Sequence, residues 1–178
     1  MSNLTLIIPA KKEAESLPIF LKELENYKFN KTIILQSEDS ETIEAIKNFK
    51  DVKTYIQKNR GYGNALKEGI QNTDTDFFCI INADGSMDPK YLNEMLNLCS
   101  SNDFVFASRY LKDGGSEDDD LVTFTGNKIF SFIGNILFNL KLSDILFTYV
   151  LGKTTSAKNL DLQYSDFMIC VELPIKAK

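Results

Sequence analysis

Phe77-Phe78-Cys79-Ile80-Ile81-Asn82-Ala83-Asp84-Gly85-Ser86 is an unbroken apolar run that gives way to an acidic, glycine-punctuated turn. An apolar run of this length, bounded by turn residues, predicts a strand covered on both faces, as in a parallel sheet flanked by helices. Such sheets bind ligands outside the carboxyl ends of their strands, which is where Asp84 stands. Two other junctions repeat the pattern. Leu4-Thr5-Leu6-Ile7-Ile8-Pro9-Ala10 is a strand running into a polar turn, and Gly61-Tyr62-Gly63-Asn64-Ala65 is a glycine turn entering a helix. Three such junctions on one edge point to a phosphate-bearing ligand, and the carboxylate among them points to a divalent metal.

The rest of the chain extends the alternation. Strands are expected at 3–9, 31–36, 52–56, 76–82 and 103–108. Helices are expected at 16–27, from Ser40 to about Phe49, at 62–71 and after Pro89. Ser16 is the expected cap of the first helix, with Pro18 in its first turn. No hairpin signal interrupts this order, so residues 1–110 predict a mostly parallel α/β sheet with helices on both faces. Beyond Arg109 the pattern changes. Residues 112–120 read as a polar loop, and 121–140 as a helix whose polar stripe is only Asn127, Lys128, Ser131, Asn135 and Asn139. A helix this apolar is expected to bury most of its surface, in protein, at a dimer interface or at a membrane surface. Residues 145–151 could form one more strand.

Composition excludes several chemistries. The 178 residues suit one domain and carry a net charge of −5, against a broad nucleic-acid surface. Histidine is absent, which removes Ser-His-Asp and Cys-His catalysis and histidine-ligated zinc. Cys79, Cys99 and Cys170 each lie among apolar residues and predict buried thiols in a reducing, cytoplasmic setting. The apolar run at Leu4 to Ile8 is strand-length rather than a signal peptide. No uncharged run reaches ~20 residues, which argues against a spanning helix.

Five stretches, in order, resemble the family-2 glycosyltransferases of GT-A fold. They are Ile7-Ile8-Pro9-Ala10 with Glu13, Asn59-Arg60-Gly61-Tyr62-Gly63-Asn64-Ala65, Asn82-Ala83-Asp84-Gly85-Ser86-Met87-Asp88-Pro89, Ala107-Ser108-Arg109-Tyr110, and more weakly Val171-Glu172-Leu173-Pro174-Ile175-Lys176-Ala177. The nearest branch is that of the polyprenyl-phosphate sugar synthases, such as dolichol-phosphate mannose synthase. The resemblance implies a UDP- or GDP-linked sugar donor, a divalent cation (Mg²⁺ or Mn²⁺), and a lipid-phosphate or glycan acceptor. It implies that Pro9, Ala10 and Glu13 line the base pocket and that Ser37, Glu38 and Asp39 contact the nucleoside. Gly61 and Gly63 would let the backbone approach the nucleotide. Asn82 and Asp84 would take the places of the metal-binding Asp-x-Asp, and Arg109 would face the acceptor phosphate. Residues 1–110 would form the donor half and 111–178 a short acceptor half.

The chain departs from the family pattern at Asn82, at Ser37-Glu38 where paired aspartates are usual, and at Phe147-Thr148-Tyr149-Val150, where a glycine-aromatic-arginine run is usual. These departures leave a non-catalytic nucleotide-sugar-binding domain as the alternative. A hydroxyl acceptor would need a carboxylate base, with Asp84, Asp88 and Glu172 as candidates. Read without the resemblance, Asp84 is a turn aspartate, the glycines satisfy backbone angles and Arg109 pairs with an acid.

Overall fold

The computed structural model describes residues 3–111, 114–115 and 120–178. The strands are β1 (Leu4–Pro9), β2 (Asn30–Leu35), β3 (Lys53–Ile56), β4 (Phe77–Ile80), β5 (Phe104–Phe106) and β6 (Val150–Lys153). The helices are α1 (Ser16–Glu23), α2 (Ser40–Ile46), α3 (Tyr62–Gln71), α4 (Leu92–Leu98), α5 (Leu121–Phe138), α6 (Thr154–Lys158) and α7 (Ile169–Lys176). The strands form one six-stranded sheet in the order β3-β2-β1-β4-β6-β5. β1 to β4 are mutually parallel, while β6 runs antiparallel between β4 and β5. The expected α/β class, a mostly parallel sheet covered on both faces, is the observed one.

Alternation along the strands builds two cores. Leu4, Leu6 and Ile8 of β1 join Ile33, Leu35, Cys79 and Leu151 on one face, beneath α1, α2 and α4. Ile7, Ile34, Phe78, Ile80 and Val150 point the other way, against Leu66 and Ile70 of α3 and Ile169 and Leu173 of α7. Burial on both faces explains why β1 and β4 read as continuous apolar runs. The three cysteines are free and buried, as expected.

Two expectations need correction. Ser16 does not cap α1: Glu15 holds the cap position without a side-chain bond, and the Ser16 hydroxyl donates to the Glu13 carboxylate instead. β6 starts at Val150, so most of the expected 145–151 strand is irregular chain leading into it. The expected loop at 112–120 falls mostly outside the described residues, while Asp120 caps α5 by accepting from the Thr123 N–H at 2.7 Å.

Of the settings expected for α5, burial within the chain is not the one observed. Only Ser131 and Gly134 of the helix's residues are buried. The polar stripe faces inward. Ser131 Oγ accepts the Ile145 N–H at 3.1 Å, and Asn135 brackets Leu142 through both its backbone groups. These side chains satisfy an irregular backbone that has no ladder partner of its own. Leu121, Val122, Ile129, Phe132, Ile133, Ile136 and Leu137 consequently face outward, Phe132 at 65% and Leu137 at 69% exposure. By length and a mean hydropathy of 1.3 the helix could cross a bilayer, but its inward stripe ties it along the domain.

Candidate functional site

The parallel strands bring the carboxyl ends of β1, β2, β3 and β4 to one edge. β5 ends there too, and β6 begins there. The order reverses direction between β1 and β4, so the crevice beside these two strands is the topological switch point. Pro9 and Ala10 leave β1 on one side of it, and Asn82 and Asp84 leave β4 on the other.

Hydrogen bonds join the turns into a continuous rim. The Lys12 N–H donates to Asp39 Oδ2 at 2.6 Å, and the Glu13 N–H donates to Thr42 Oγ1 at 2.9 Å. This ties the β1 turn to the start of α2, with Lys12 itself at a φ of 60°. Asp39 also caps α2 through the Thr42 N–H. Burial alone would raise its carboxyl, but the bonds from Lys12 and Thr42 hold it below the usual range. Glu38 reaches across to Arg60 at 2.7 Å, joining the β2 and β3 turns. Both partners are solvated, so this pair contributes little stability. Ser37 is exposed beside it, its hydroxyl donating to Glu38 at 3.2 Å.

Asp84 sits at the tip of the β4 turn. Its Oδ1 accepts the Ser86 N–H at 2.9 Å, the carboxylate is exposed, and Gly85 at φ 77° supplies the left-handed residue that closes the turn. Asn82, half-buried behind it, accepts from the Tyr62 hydroxyl at 3.4 Å, and that hydroxyl also contacts Thr148 Oγ1 at 2.9 Å. Among the described residues, no group of three or more His, Cys, Asp or Glu side chains forms a preassembled metal cage.

The other two candidate bases are occupied. Asp88 accepts the Lys90 N–H at 2.9 Å and pairs with the Lys90 ammonium. Glu172 is buried and accepts the N–H groups of Gln163 at 2.7 Å and Tyr164 at 3.0 Å, while pairing with Lys176 at 2.9 Å. It is a clamp on the segment before α7. Burial raises its carboxyl, but those two N–H bonds and Lys176 outweigh it and leave the value depressed.

Gly61 and Gly63 face that same segment. A Cβ on Gly61, which adopts φ 115°, would lie 2.1 Å from the Ser165 carbonyl oxygen; on Gly63 it would lie 2.5 Å from that of Tyr164. The Asn64 N–H donates to Ser165 O at 3.3 Å, and Tyr62 stacks on Phe167 at 4.8 Å. The space the glycines leave is therefore filled by residues 164–166 of this chain.

Arg109 leaves β5 on the far side of the crevice. Its Nε and Nη2 donate to the two oxygens of Asp144 at 2.8 and 3.0 Å, and its backbone N–H adds a third bond at 3.3 Å. Asp144 is buried, and the guanidinium packs against the rings of Tyr110 and Phe147. A separate concavity of about 800 Å³, lined by Tyr27, Phe29, Lys31, Phe49 and Asp51 among others, lies at the opposite edge and shares no residue with this rim.

Reading the sequence singled out Asp84, Asn82, both glycines and Arg109. It missed Tyr62, Thr42, Thr148 and Asp144 as the groups that fix them. Asp39 immediately before the helix that opens at Ser40 is an N-cap signal visible in the sequence, whereas the bond from the Glu13 N–H to Thr42 is not. Nothing local marks Thr148 or Asp144, whose partners are distant in the chain.

Solved structures share this architecture. Glucosyl-3-phosphoglycerate synthase from Mycobacterium tuberculosis, in complex with Mn²⁺, UDP and glucosyl-3-phosphoglycerate, matches with a TM-score of 0.69 at 12% identity, over 94% of this chain and 62% of that one. Mannosyl-3-phosphoglycerate synthase from Rubrobacter xylanophilus matches with a TM-score of 0.61 at 16% identity, over 85% and 53%. This chain thus spans less than two thirds of the length of either. The family model of glycosyl transferase family 2 matches residues 5–161, from the second residue of β1 to beyond α6. With that match covering the sheet and nearly the whole rim, the chain belongs to glycosyl transferase family 2.

Proposed function

We propose that this chain transfers a sugar, with inversion, from a UDP- or GDP-linked donor to a lipid-phosphate acceptor at a membrane surface. The observation that carries the donor half is the exposed Asp84 carboxylate at the switch point, ringed by the turns of β1, β2 and β3. The Mn²⁺ and UDP held by the M. tuberculosis synthase support the same reading.

The residues present fit a divalent cation. Small divalent ions in such sites take one or two carboxylates and complete their shell with substrate phosphates and water. Asp84 offers such a carboxylate, with one oxygen held by Ser86. When bound, the cation would offset charge developing on the departing diphosphate. In transfer, an acceptor oxygen bonds to the anomeric carbon as the bond from that carbon to the diphosphate breaks, releasing the nucleoside diphosphate. A phosphate acceptor is already anionic and needs no general base. That fits a rim whose other candidate bases, Asp88 and Glu172, are tied up in structural bonds. Pro9, Ala10, Glu13, Ser37 and Glu38 would form the nucleoside side. Arg109, held by Asp144, would present its position to the acceptor.

The outward apolar face of α5 supports the membrane half. The segment 121–178 carries six Lys and four Asp or Glu, against fourteen Lys or Arg and twenty-one acids in 1–120. The apolar face therefore lies in a segment that is net cationic within an acidic chain, a charge balance that favours contact with anionic headgroups. This would make the protein peripheral at a cytoplasmic membrane face.

The test is transfer from UDP-glucose and GDP-mannose, with Mn²⁺, to polyprenyl phosphate in vesicles containing anionic lipid. The wild type should form product and Asp84→Ala should not. Ile133→Glu/Leu137→Glu should stay folded yet lose vesicle binding. Transfer to a soluble glycan or a small phosphorylated acceptor, with no vesicle binding, would discard the lipid reading. Nucleotide binding without transfer would establish the alternative, a binding domain, which Asn82 in the first acidic position favours.

A further inference from the structure

Tyr62 has no part in the reading above, and its contacts are specific. Its ring is fixed by stacking on Phe167 at 4.8 Å, which leaves the hydroxyl as the acting group. The hydroxyl has one proton. It donates to Asn82 Oδ1 at 3.4 Å, and its oxygen also lies 2.9 Å from the Thr148 hydroxyl, within hydrogen-bond distance. The three groups stand in the order Thr148, Tyr62, Asn82, joining the approach to β6, the start of α3 and the end of β4.

An amide has two unlike ends. With the oxygen turned to Tyr62, the NH₂ of Asn82 is directed away from it and meets no acceptor among the described residues. An NH₂ group donates to anionic oxygens and cannot ligate a cation. We propose that Tyr62, braced by Thr148, holds Asn82 as a hydrogen-bond donor to the donor's diphosphate, and that Asp84 is the only side-chain carboxylate on the cation. Tyr62 is thus a positioning residue, and Asn82 is a phosphate contact rather than half of a metal pair. This inference rests on the nucleotide-diphosphate reading above. An aspartate at 82 could keep the Tyr62 bond with one oxygen and offer the other, charged, to the metal.

The experiment is calorimetric titration of UDP and of GDP into wild type, Tyr62→Phe, Asn82→Ala, the double variant, Asn82→Asp and Asp84→Asn, without metal and with Mn²⁺. Bound Mn²⁺ is followed independently by electron paramagnetic resonance. Without metal, Tyr62→Phe and Asn82→Ala should each weaken nucleotide binding about tenfold, the loss of one charge-assisted hydrogen bond. The double variant should lose no more than Asn82→Ala. The gain in nucleotide affinity that Mn²⁺ confers should survive in Tyr62→Phe and Asn82→Ala and vanish in Asp84→Asn. Asn82→Asp should tighten Mn²⁺ binding.

If Asn82→Ala abolishes the Mn²⁺ effect as Asp84→Asn does, the amide is a metal ligand and the proposal fails. Additive losses in the double variant would show that Tyr62 does not act through Asn82. A wild type that binds neither nucleotide in either condition would remove the donor reading together with this inference. Nucleotide binding indifferent to Asn82 would remove the inference alone.

Discussion

Gly63→Ala separates two roles that one glycine can play at this turn. If the missing side chain admits a nucleotide, alanine should weaken nucleotide binding and leave stability nearly unchanged. The structure points elsewhere. The new Cβ would lie 2.5 Å from Tyr164 O, 2.8 Å from the Ser165 carbonyl carbon and 2.9 Å from Asp166 O. All three are backbone atoms, so no flexible side chain can turn aside. The segment they belong to is pinned behind by Glu172, through the N–H groups of Gln163 and Tyr164. It must either move off α3, losing the Asn64 N–H to Ser165 O bond, or strain the clamp. Overpacking of this kind costs about 1–3 kcal/mol, and the weakened hydrogen bond adds about 0.5–1.5. A loss of about 2 kcal/mol in a chain of this length lowers the melting temperature by roughly 4–8 °C. The assay is thermal unfolding by circular dichroism, paired with UDP and GDP titrations at a temperature where both proteins are folded. A melting temperature unchanged within 1 °C of wild type, together with lost nucleotide binding, would refute the packing argument and return Gly63 to the ligand.

Two further perturbations follow from the rim. Asp144→Ala leaves the Arg109 guanidinium, 19% exposed, without its bidentate partner. Removing one member of a buried pair costs about 3–5 kcal/mol, and the partial exposure places this case near the lower end. Urea unfolding should show the loss, and adding Arg109→Met should recover part of it; an unchanged midpoint for Asp144→Ala would mean that the pair holds nothing together. Glu172→Gln replaces one of the two acceptor oxygens with an NH₂ group, leaving either the Gln163 or the Tyr164 N–H facing a donor, and should cost about 1–3 kcal/mol at neutral pH. The folded carboxyl is depressed, so its contribution is complete above the unfolded value of about 4.3 and is lost as pH falls through the folded value. Thermal melts should therefore show a constant gap between wild type and Glu172→Gln from pH 8 to about 5, closing below about 4. A gap that widens with acid would reverse the assigned sign.

The legible parts of this fold are those where a local pattern carries the tertiary information. Leu4 to Ile8 and Phe77 to Ile81 announce buried parallel strands because both faces must be apolar. Asp84-Gly85-Ser86 announces its turn because the side-chain bond and the left-handed glycine lie within three residues. β6 was not legible in this way. Its place depends on pairing Phe77 with Lys153 and Phe104 with Gly152, contacts across long stretches of chain. Gly152 is short so that Phe104 can lie against it, which nothing near residue 152 reveals. The same distance hid Asp144 from Arg109 and Thr148 from Tyr62, so the sequence named the rim's chemical groups without the neighbours that orient them.

The amino-acid sequence alone determined the alternation of strands and helices, the edge on which Asp84 stands, and the absence of histidine chemistry. It also determined that α5 has one polar stripe and one broad apolar face, because periodicity is a property of the chain. Only the tertiary structure decided which face turns inward. The irregular backbone at 142–145 needs hydrogen-bonding partners more than the core needs further apolar area, and Ser131 and Asn135 supply them. Which groups are satisfied by which others is settled by long-range proximity, and periodicity carries no record of it.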